Sequence, residues 1–523
     1  MKMDTPSPRA AGAHALPSRA PTRPAHLARG AIALAAVLLV SACAMHGETT
    51  PLTAPTSAAY LETPPGWMTA APADTLSRGP WWTLFGDPTL DKLAPQVAVS
   101  NQTVAAAEAA VEESRAAVRE QQAAFFPTLS LDAGVTRSGI GGSSHGGGIT
   151  TTTGGTSIVT SSGSSNRTTR YSLGLGASWE PDLWGSIANS VSAATATAQA
   201  SEADLANATL VAQTTFVTDY LSVREGDAEI AILQATIVGY QRALTITQNR
   251  YNASIAPKSD VLQAETTLAN AQSSLAALVQ TRKQFFHAMA VLAGQAPADF
   301  ALPPGDWKST TVPAVPPTVP SELMQRRPDI AGAERRVAAA NAQIGVARAA
   351  YFPALTLSAN GDLTSSSLSK LFNASSFAWS LGASLAETIF DGGARTARVD
   401  EARANWKQAV ANYRQTVLGA FQGVEDQLSN AGSLEEQQQQ LRIASKDADQ
   451  TEQIMQNQYQ QGLVAYTDVV TAQASALTAR RALLQISLSR QTAAIQMISE
   501  LGGGWTTQQL AAGEPAASEP VAH

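Results

Sequence analysis

The chain has 523 residues, enough for two to four ordinary domains, and carries a formal net charge of −7. It lacks the basic footprint that nucleic-acid binding needs. Only 15% of residues are charged, and Ala, Ser, Thr and Gln are abundant, a composition that suits long, closely packed helices and small-residue strands better than a large oily core.

Residues 1–42 read as a secretory signal peptide. Arg19, Arg23 and Arg29 precede the apolar run AIALAAVLLV at 31–40, which at about ten residues is too short to span a bilayer. The tetrapeptide Val40-Ser41-Ala42-Cys43 that follows resembles a bacterial lipobox, and in that class of signals Cys43 becomes the lipid-modified first residue. Cys43 is the only cysteine, so no disulfide and no cysteine-based metal site can form within one chain. In such lipoproteins an Asp after the Cys favours retention at the inner membrane. Here the residue is Ala44, which leaves the outer membrane as the destination. No later apolar run approaches about 18 residues, so a mature chain that crosses a membrane must do so as a closed β-barrel.

Residues 43–80 are rich in Pro, Thr and Ala and read as a lipidated N-terminal tether. A first repeat spans 81–302. The block Trp81-Trp82-Thr83-Leu84-Phe85-Gly86-Asp87-Pro88 opens it as an ordered turn, and one helix is expected from there to Ala124. Pro127 ends that helix and starts a strand over about 128–136, with Leu129, Leu131, Ala133 and Val135 on one face. Residues 138–169 are nearly all Gly, Ser and Thr and form the loop of a long hairpin. Within it, Gly142-Ser143-Ser144-His145-Gly146 matches G-x-S-x-G in form, but that motif needs an apolar strand before it and a helix after it, and here it sits in low-complexity sequence. The return strand covers about 170–179, with Tyr171, Leu173, Leu175, Ala177 and Trp179 alternating with small or polar residues. After Gly185 a helix runs to about Arg250, roughly 100 Å at 1.5 Å per residue. A turn at Ala256-Pro257-Lys258 leads to a helix from about Asp260 to Ala293, where Val261, Leu268 and Leu275, then Leu278, Phe285 and Leu292, keep seven-residue spacing.

Residues 303–320 form a Pro-rich linker, and a second repeat spans 321–503. Ala349-Ala350-Tyr351-Phe352-Pro353 repeats Ala123-Ala124-Phe125-Phe126-Pro127. Strands are expected at about 354–362 and 377–386, joined by a shorter loop. A second long helix carries Trp406, Val410, Tyr413, Val417, Phe421, Val424 and Leu428 at spacings of three and four. A last helix reaches about Leu501, and 504–523 read as a disordered tail.

Four strands per chain cannot close a barrel, since the smallest membrane barrels need about eight. An open sheet edge is intolerable in lipid. The strands must therefore be shared across a symmetric oligomer, eight in a dimer or twelve in a trimer, and arithmetic alone does not choose.

Several motifs then resemble one family in order along the chain: WWTLFGDPTLDKL (81–93), WEPDLWGSI (179–187), RYNASIAPKSDVLQAET (250–266), RRPDIAGAE (326–334), IFDGG (389–393) and YQQGLVAYTDVV (459–470). They are similar to outer-membrane efflux channels of the TolC superfamily, in the NodT- or OprM-like lipoprotein branch. That resemblance implies an α+β membrane protein with a two-fold internal repeat. It implies a homotrimer whose twelve-stranded β-barrel, four strands per protomer, is continuous with a long periplasmic α-helical barrel. It implies docking to a periplasmic membrane-fusion adaptor and an inner-membrane pump, commonly of the resistance-nodulation-division type, with passive conduction and no cofactor.

The resemblance also assigns a periplasmic tip, where the turn between paired helices carries a Tyr, a Gly three later and an Asp nine later. The second repeat has Tyr459, Gly462 and Asp468; the first has Tyr251, Ser254 and Asp260, and the lost Gly suggests a different turn held by Pro257. Three copies of Asp468 would ring a constriction and favour cations, while the same residue also suits the N-terminal cap of the last helix. A second carboxylate and a basic latch known in some members are replaced by Thr471 and Val464.

Nothing points to an enzyme. The six histidines are scattered, no pair has metal-ligand spacing, and the Gly-rich loop lacks the Lys-Ser/Thr of a phosphate loop. His287, beside Phe285 and Phe286, reads as packing or surface, and Glu435 to Gln440 as a solvated helix face. The alternative to a channel is a lipid-anchored periplasmic coiled-coil scaffold or adaptor without a pore.

Overall fold

The computed structural model describes residues 47–48, 61, 80–139, 152–153, 156–157, 167–303, 305, 307, 312–313 and 327–503. The signal segment, Cys43, most of the tether, the G-x-S-x-G stretch, most of the Pro-rich linker and the tail from 504 lie outside the described residues.

Trp81–Phe85 is a 3-10 turn closed by Gly86 in the left-handed region, φ 62°. Asp87 then caps α1 (Pro88–Ser100), accepting from the N–H groups of Thr89 and Leu90, and Pro88 takes the first helical position, where an N–H has no partner to lose. The single helix expected up to Ala124 is in fact two. Asn101 turns extended at ψ 125° and caps α2 (Gln102–Ala123), accepting from Thr103 at 2.8 Å and Val104 at 3.2 Å. Its amide also donates to the carbonyl of Leu292 at 2.9 Å, so the break is held from a distant part of the chain.

β1 (Thr128–Gly139) pairs antiparallel with β2 (Arg167–Trp179), from Thr128 opposite Ser178 to Gly139 opposite Arg167. α3 (Ser186–Asn252) and α4 (Lys258–Leu292) follow as a hairpin. The second half supplies α5 (Pro328–Ala349), β3 (Ala354–Ser365), β4 (Phe377–Ala386), α6 (Ala394–Gln460) and α7 (Tyr466–Glu500). Counterparts match in length: α2 and α5 have 22 residues, β1 and β3 have 12, α3 and α6 have 67, and α4 and α7 have 35.

The four strands make one antiparallel sheet in the order β1-β2-β3-β4. The register sorts its faces. Leu131, Leu175, Gly361 and Trp379 share one cross-strand row, and Ala133, Leu173, Leu363 and Phe377 the next on that face. The opposite face carries Ser130, Gly176, Asn360 and Ser380 in one row and Asp132, Gly174, Asp362 and Ala378 in another. A Cβ at Gly174 would lie 2.4 Å from the Asp362 carboxylate, so the two acids flank a position that only glycine fits without displacement. Leu129, Leu131, Leu381 and Leu385 are 66% to 74% exposed in the single chain, an apolar surface that a monomer in water does not tolerate at this extent. Among the described residues, β1 and β4 each have one unpaired edge.

The long helices pack on one another below the sheet. α3 lies against α2, α4, α5 and α7, and α6 against α5 and α7. The largest core sits midway along them, where Trp81, Phe85 and Leu90 pack on Phe216, Tyr220 and Met289. Each such side chain contributes about 1.5–3 kcal/mol on burial, which fixes the N-terminal turn to the hairpins. The α4 stripe closes on α3, with Leu268, Leu275 and Leu278 against Leu233, Ile237 and Tyr240. One helix face expected to be wholly solvated is not: Gln438 is 2% exposed and donates to Ser487 of α7 at 2.7 Å, because its row of the helix meets α7. Among the described residues no helix is long and apolar enough to cross a membrane.

Candidate functional site

The two helix-to-helix turns are built alike. In the second, Gly462 takes φ 77° and donates to the carbonyl of Tyr459 at 3.0 Å, while Leu463 donates to Gln458 at 2.9 Å. This is the usual left-handed close of a helix. In the first, Ser254 takes φ 61°, donates to Tyr251 at 2.8 Å, and Ile255 donates to Arg250 at 2.8 Å. The different turn expected from the missing glycine is therefore not found. Ser254 enters the same left-handed geometry and is the one non-glycine residue with positive φ among the described residues. That conformation costs about 1–2 kcal/mol for a residue with a Cβ.

The helices that follow differ in their caps. Asp468 is exposed, and its carboxylate accepts from the backbone N–H of Ala465 at 3.1 Å. Pro257 occupies the matching place before α4 and has no N–H to give. Asp260 instead accepts weakly from the Ser259 hydroxyl at 3.4 Å.

The two tyrosines also part company. Tyr251 is 42% exposed, whereas Tyr459 is 6% exposed and packs against Tyr466 with ring centroids 5.3 Å apart. Burial, then neighbouring Tyr459, pushes the Tyr466 phenol up to about 12, so it stays neutral. Arg250 of α3 stacks over Tyr459, 4.5 Å from the ring centroid, and donates to its carbonyl at 3.0 Å. Tyr251, Ser254 and Asp260 therefore form one turn and Tyr459, Gly462 and Asp468 the other, with Arg250 bridging them. Arg250 and Tyr466 were missed from the sequence. The available signal was Arg250 directly before the motif tyrosine.

The remaining motif residues set the junctions between elements. Asp182 accepts from Ile187 and Ala188 at the start of α3, at 3.1 and 2.7 Å, and Asp391 accepts from Gly393 and Arg395 at the start of α6, both at 3.0 Å. Trp184 donates to the carbonyl of Pro353 at 2.7 Å and stacks on Phe352 at 4.8 Å, joining the two sheet-to-helix corners. Arg327 bonds Asp329 at 2.8 Å, the Glu500 carboxylate, and the Glu500 carbonyl at 2.9 Å, which ties the start of α5 to the end of α7. Asp87 accepts from the Tyr220 hydroxyl as well as capping α1, and Arg224 donates to that hydroxyl at 3.1 Å.

The wall between α3 and α7 holds a charge cluster that no motif announced. Glu229 is 3% exposed and accepts from Arg481. Glu225, one turn away, has a buried carboxylate oxygen without a partner. Burial first, then Glu229, pushes its carboxyl up to about 7, against the pull of Arg481. Among the described residues no group of three or more His, Cys, Asp or Glu side chains is arranged to hold a metal.

A profile of the family described as outer membrane efflux protein matches residues 93–295 and 319–503. The chain is 28% identical over 483 residues to the pyoverdine export outer membrane protein OpmQ of Pseudomonas aeruginosa, covering 90% of this chain and 97% of that one. It is 29% identical over 442 residues to the cation efflux system protein CusC of Escherichia coli, covering 83% and 90%. The solved structure of the outer-membrane channel OprN is similar with a TM-score of 0.76 at 28% identity, covering 88% of this chain and 99% of that one.

Proposed function

This chain belongs to the outer membrane efflux protein family, and from that premise we propose that three copies close one pore that opens the outer membrane to an export pump. The observation that carries this is the sheet: four strands, one apolar face, one polar face, and an unpaired edge on β1 and on β4. Strands of 10 to 13 residues are long enough to cross a bilayer at a tilt. Four cannot close a barrel, and twelve can. Pairing β4 of one protomer with β1 of the next removes every edge and turns the Leu and Trp rows to lipid and the Asp132/Asp362 row to water.

The 67-residue helices, each about 100 Å long, continue the conduit as a periplasmic α-barrel. The matched lengths of the two halves support an internal repeat. The turns at 251–260 and 459–468 form the periplasmic end. There Asp468 and Asp260 supply negative charge that favours cations. Cys43 carries lipid and anchors the tether. The chain is a passive conduit with no catalytic role or cofactor, and its partners are a membrane-fusion adaptor and an inner-membrane pump of the resistance-nodulation-division type. Relatives named for pyoverdine export and for cation efflux share this scaffold, so the exported compound is set elsewhere in the assembly.

Fractionation tests this against a poreless periplasmic scaffold. With Cys43→Ser, the protein should stay in the outer-membrane fraction and need detergent for extraction. Release as a soluble periplasmic protein would overturn the pore.

A further inference from the structure

The first described residues, Gly47 and Glu48, are not loose beside the helices. The side-chain amide of Asn341, on α5, pairs with the Glu48 backbone at both ends: Glu48 N–H donates to Asn341 Oδ1 at 2.6 Å, and Asn341 Nδ2 donates to the Glu48 carbonyl at 3.1 Å. Arg348, about two turns along the same face of α5, donates to the Glu48 carboxylate at 2.7 Å and to the Gly47 carbonyl at 3.3 Å. Arg403, on α6, reaches the same carboxylate at 3.4 Å while also pairing with Asp400 at 3.7 Å. Gly47 approaches so closely that a Cβ there would lie 2.5 Å from the Asn341 carbonyl. Three backbone groups and one carboxylate, with a glycine at the point of closest approach, are thus read by three side chains from two helices. Charge-assisted bonds of this kind are about twice as strong as neutral ones.

We propose that Asn341, Arg348 and Arg403 form a docking site for the Gly47–Glu48 segment, which pins the N-terminal tether at the foot of the β-sheet. Arg348 stands one residue before the end of α5, and β3 begins at Ala354, so the site lies level with the base of the strands. Cys43 lies five positions before Glu48, a reach of at most about 18 Å. A lipid on Cys43 would therefore be held within that distance of the site; this consequence rests on the lipidation proposed above. A second tie continues the path: Leu61 N–H donates to Glu425 of α6 at 2.6 Å. Arg403 and Glu425 stand about 33 Å apart along α6, within the roughly 45 Å that the chain from Glu48 to Leu61 can span.

The test is timed digestion of the detergent-solubilised full chain with a broad-specificity protease, with N-terminal peptides followed by mass spectrometry. Glu48→Arg should speed cleavage between residues 44 and 60 at least tenfold. Combining it with Arg348→Glu and Arg403→Glu should return the rate to within threefold of wild type. Glu48→Gln, which keeps the backbone ties and loses the charge, should give a two- to fivefold increase. Wild-type rates for both Glu48→Arg and Glu48→Gln would overturn the docking site, whether or not the triple variant assembles. The same spectra weigh the N-terminal peptide. An unacylated Cys43 would overturn the lipid reading alone and leave the cleavage comparison standing.

Discussion

Arg250 and Tyr459 join the ends of the two long helices: the guanidinium lies 4.5 Å from the ring centroid and donates to the tyrosine carbonyl at 3.0 Å. The carbonyl belongs to the last turn of α6, where the helix dipole favours a cation. One side chain thus caps a helix of the other hairpin and covers its aromatic ring. Removing it should free the tip. Arg250→Ala is expected to raise amide exchange at residues 455–463 about tenfold, the equivalent of about 1.4 kcal/mol. Tyr459→Phe should leave that exchange unchanged or slower, because the buried Tyr459 hydroxyl has no hydrogen-bond partner to lose.

Ser254 and Gly462 hold the same left-handed place at the two turns. Ser254→Gly should therefore stabilise the protein by about 1 kcal/mol, and Gly462→Ser should destabilise it by a similar amount. Chemical denaturation of the two variants measures both. Pro257→Ala should give Asp260 the backbone N–H that Asp468 already uses at Ala465.

Asp468 has two separable duties. Asp468→Asn keeps an acceptor for Ala465 and removes the charge, so stability should hold while cation-over-anion permeability in planar bilayers falls. Asp468→Ala loses both and should also cost about 1 kcal/mol. Unchanged selectivity in both variants would reduce Asp468 to a helix cap.

Glu225 makes stability depend on pH. Its folded value, about 7, lies above the ordinary 4.5, so the folded state keeps a proton that the unfolded chain gives up. Stability is then complete below about pH 4.5 and declines as pH rises through 7. Asp219, pushed up by burial to about 6, acts in the same direction. Glu225→Gln should lose about 1–3 kcal/mol less than wild type between pH 5 and 9, read from denaturation midpoints.

Strand alternation and helix length were plain from composition and period: Leu129 to Val135 and Phe377 to Leu385 sort to one face in the register as they do in the sequence. What periodicity does not carry are single residues whose role depends on a distant partner. Asn101 breaks the first helix because it caps α2 and bonds Leu292, nearly two hundred residues on. Ser254 hides a glycine-like turn because the flanking geometry imposes it. Gln438 reads as a solvated glutamine until α7 is laid against it. Arg250, Glu48 and Glu225 look like ordinary surface charges in one dimension; their significance comes from Tyr459, Asn341 and Glu229.

The shared barrel is the central claim, and the mass of the detergent-solubilised particle tests it most directly. Light scattering corrected for bound detergent, on wild type and on Cys43→Ser, should return a protein mass near three protomers in both. A folded, monodisperse monomer would contradict the account, because a sheet of four strands with two open edges cannot enclose a pore.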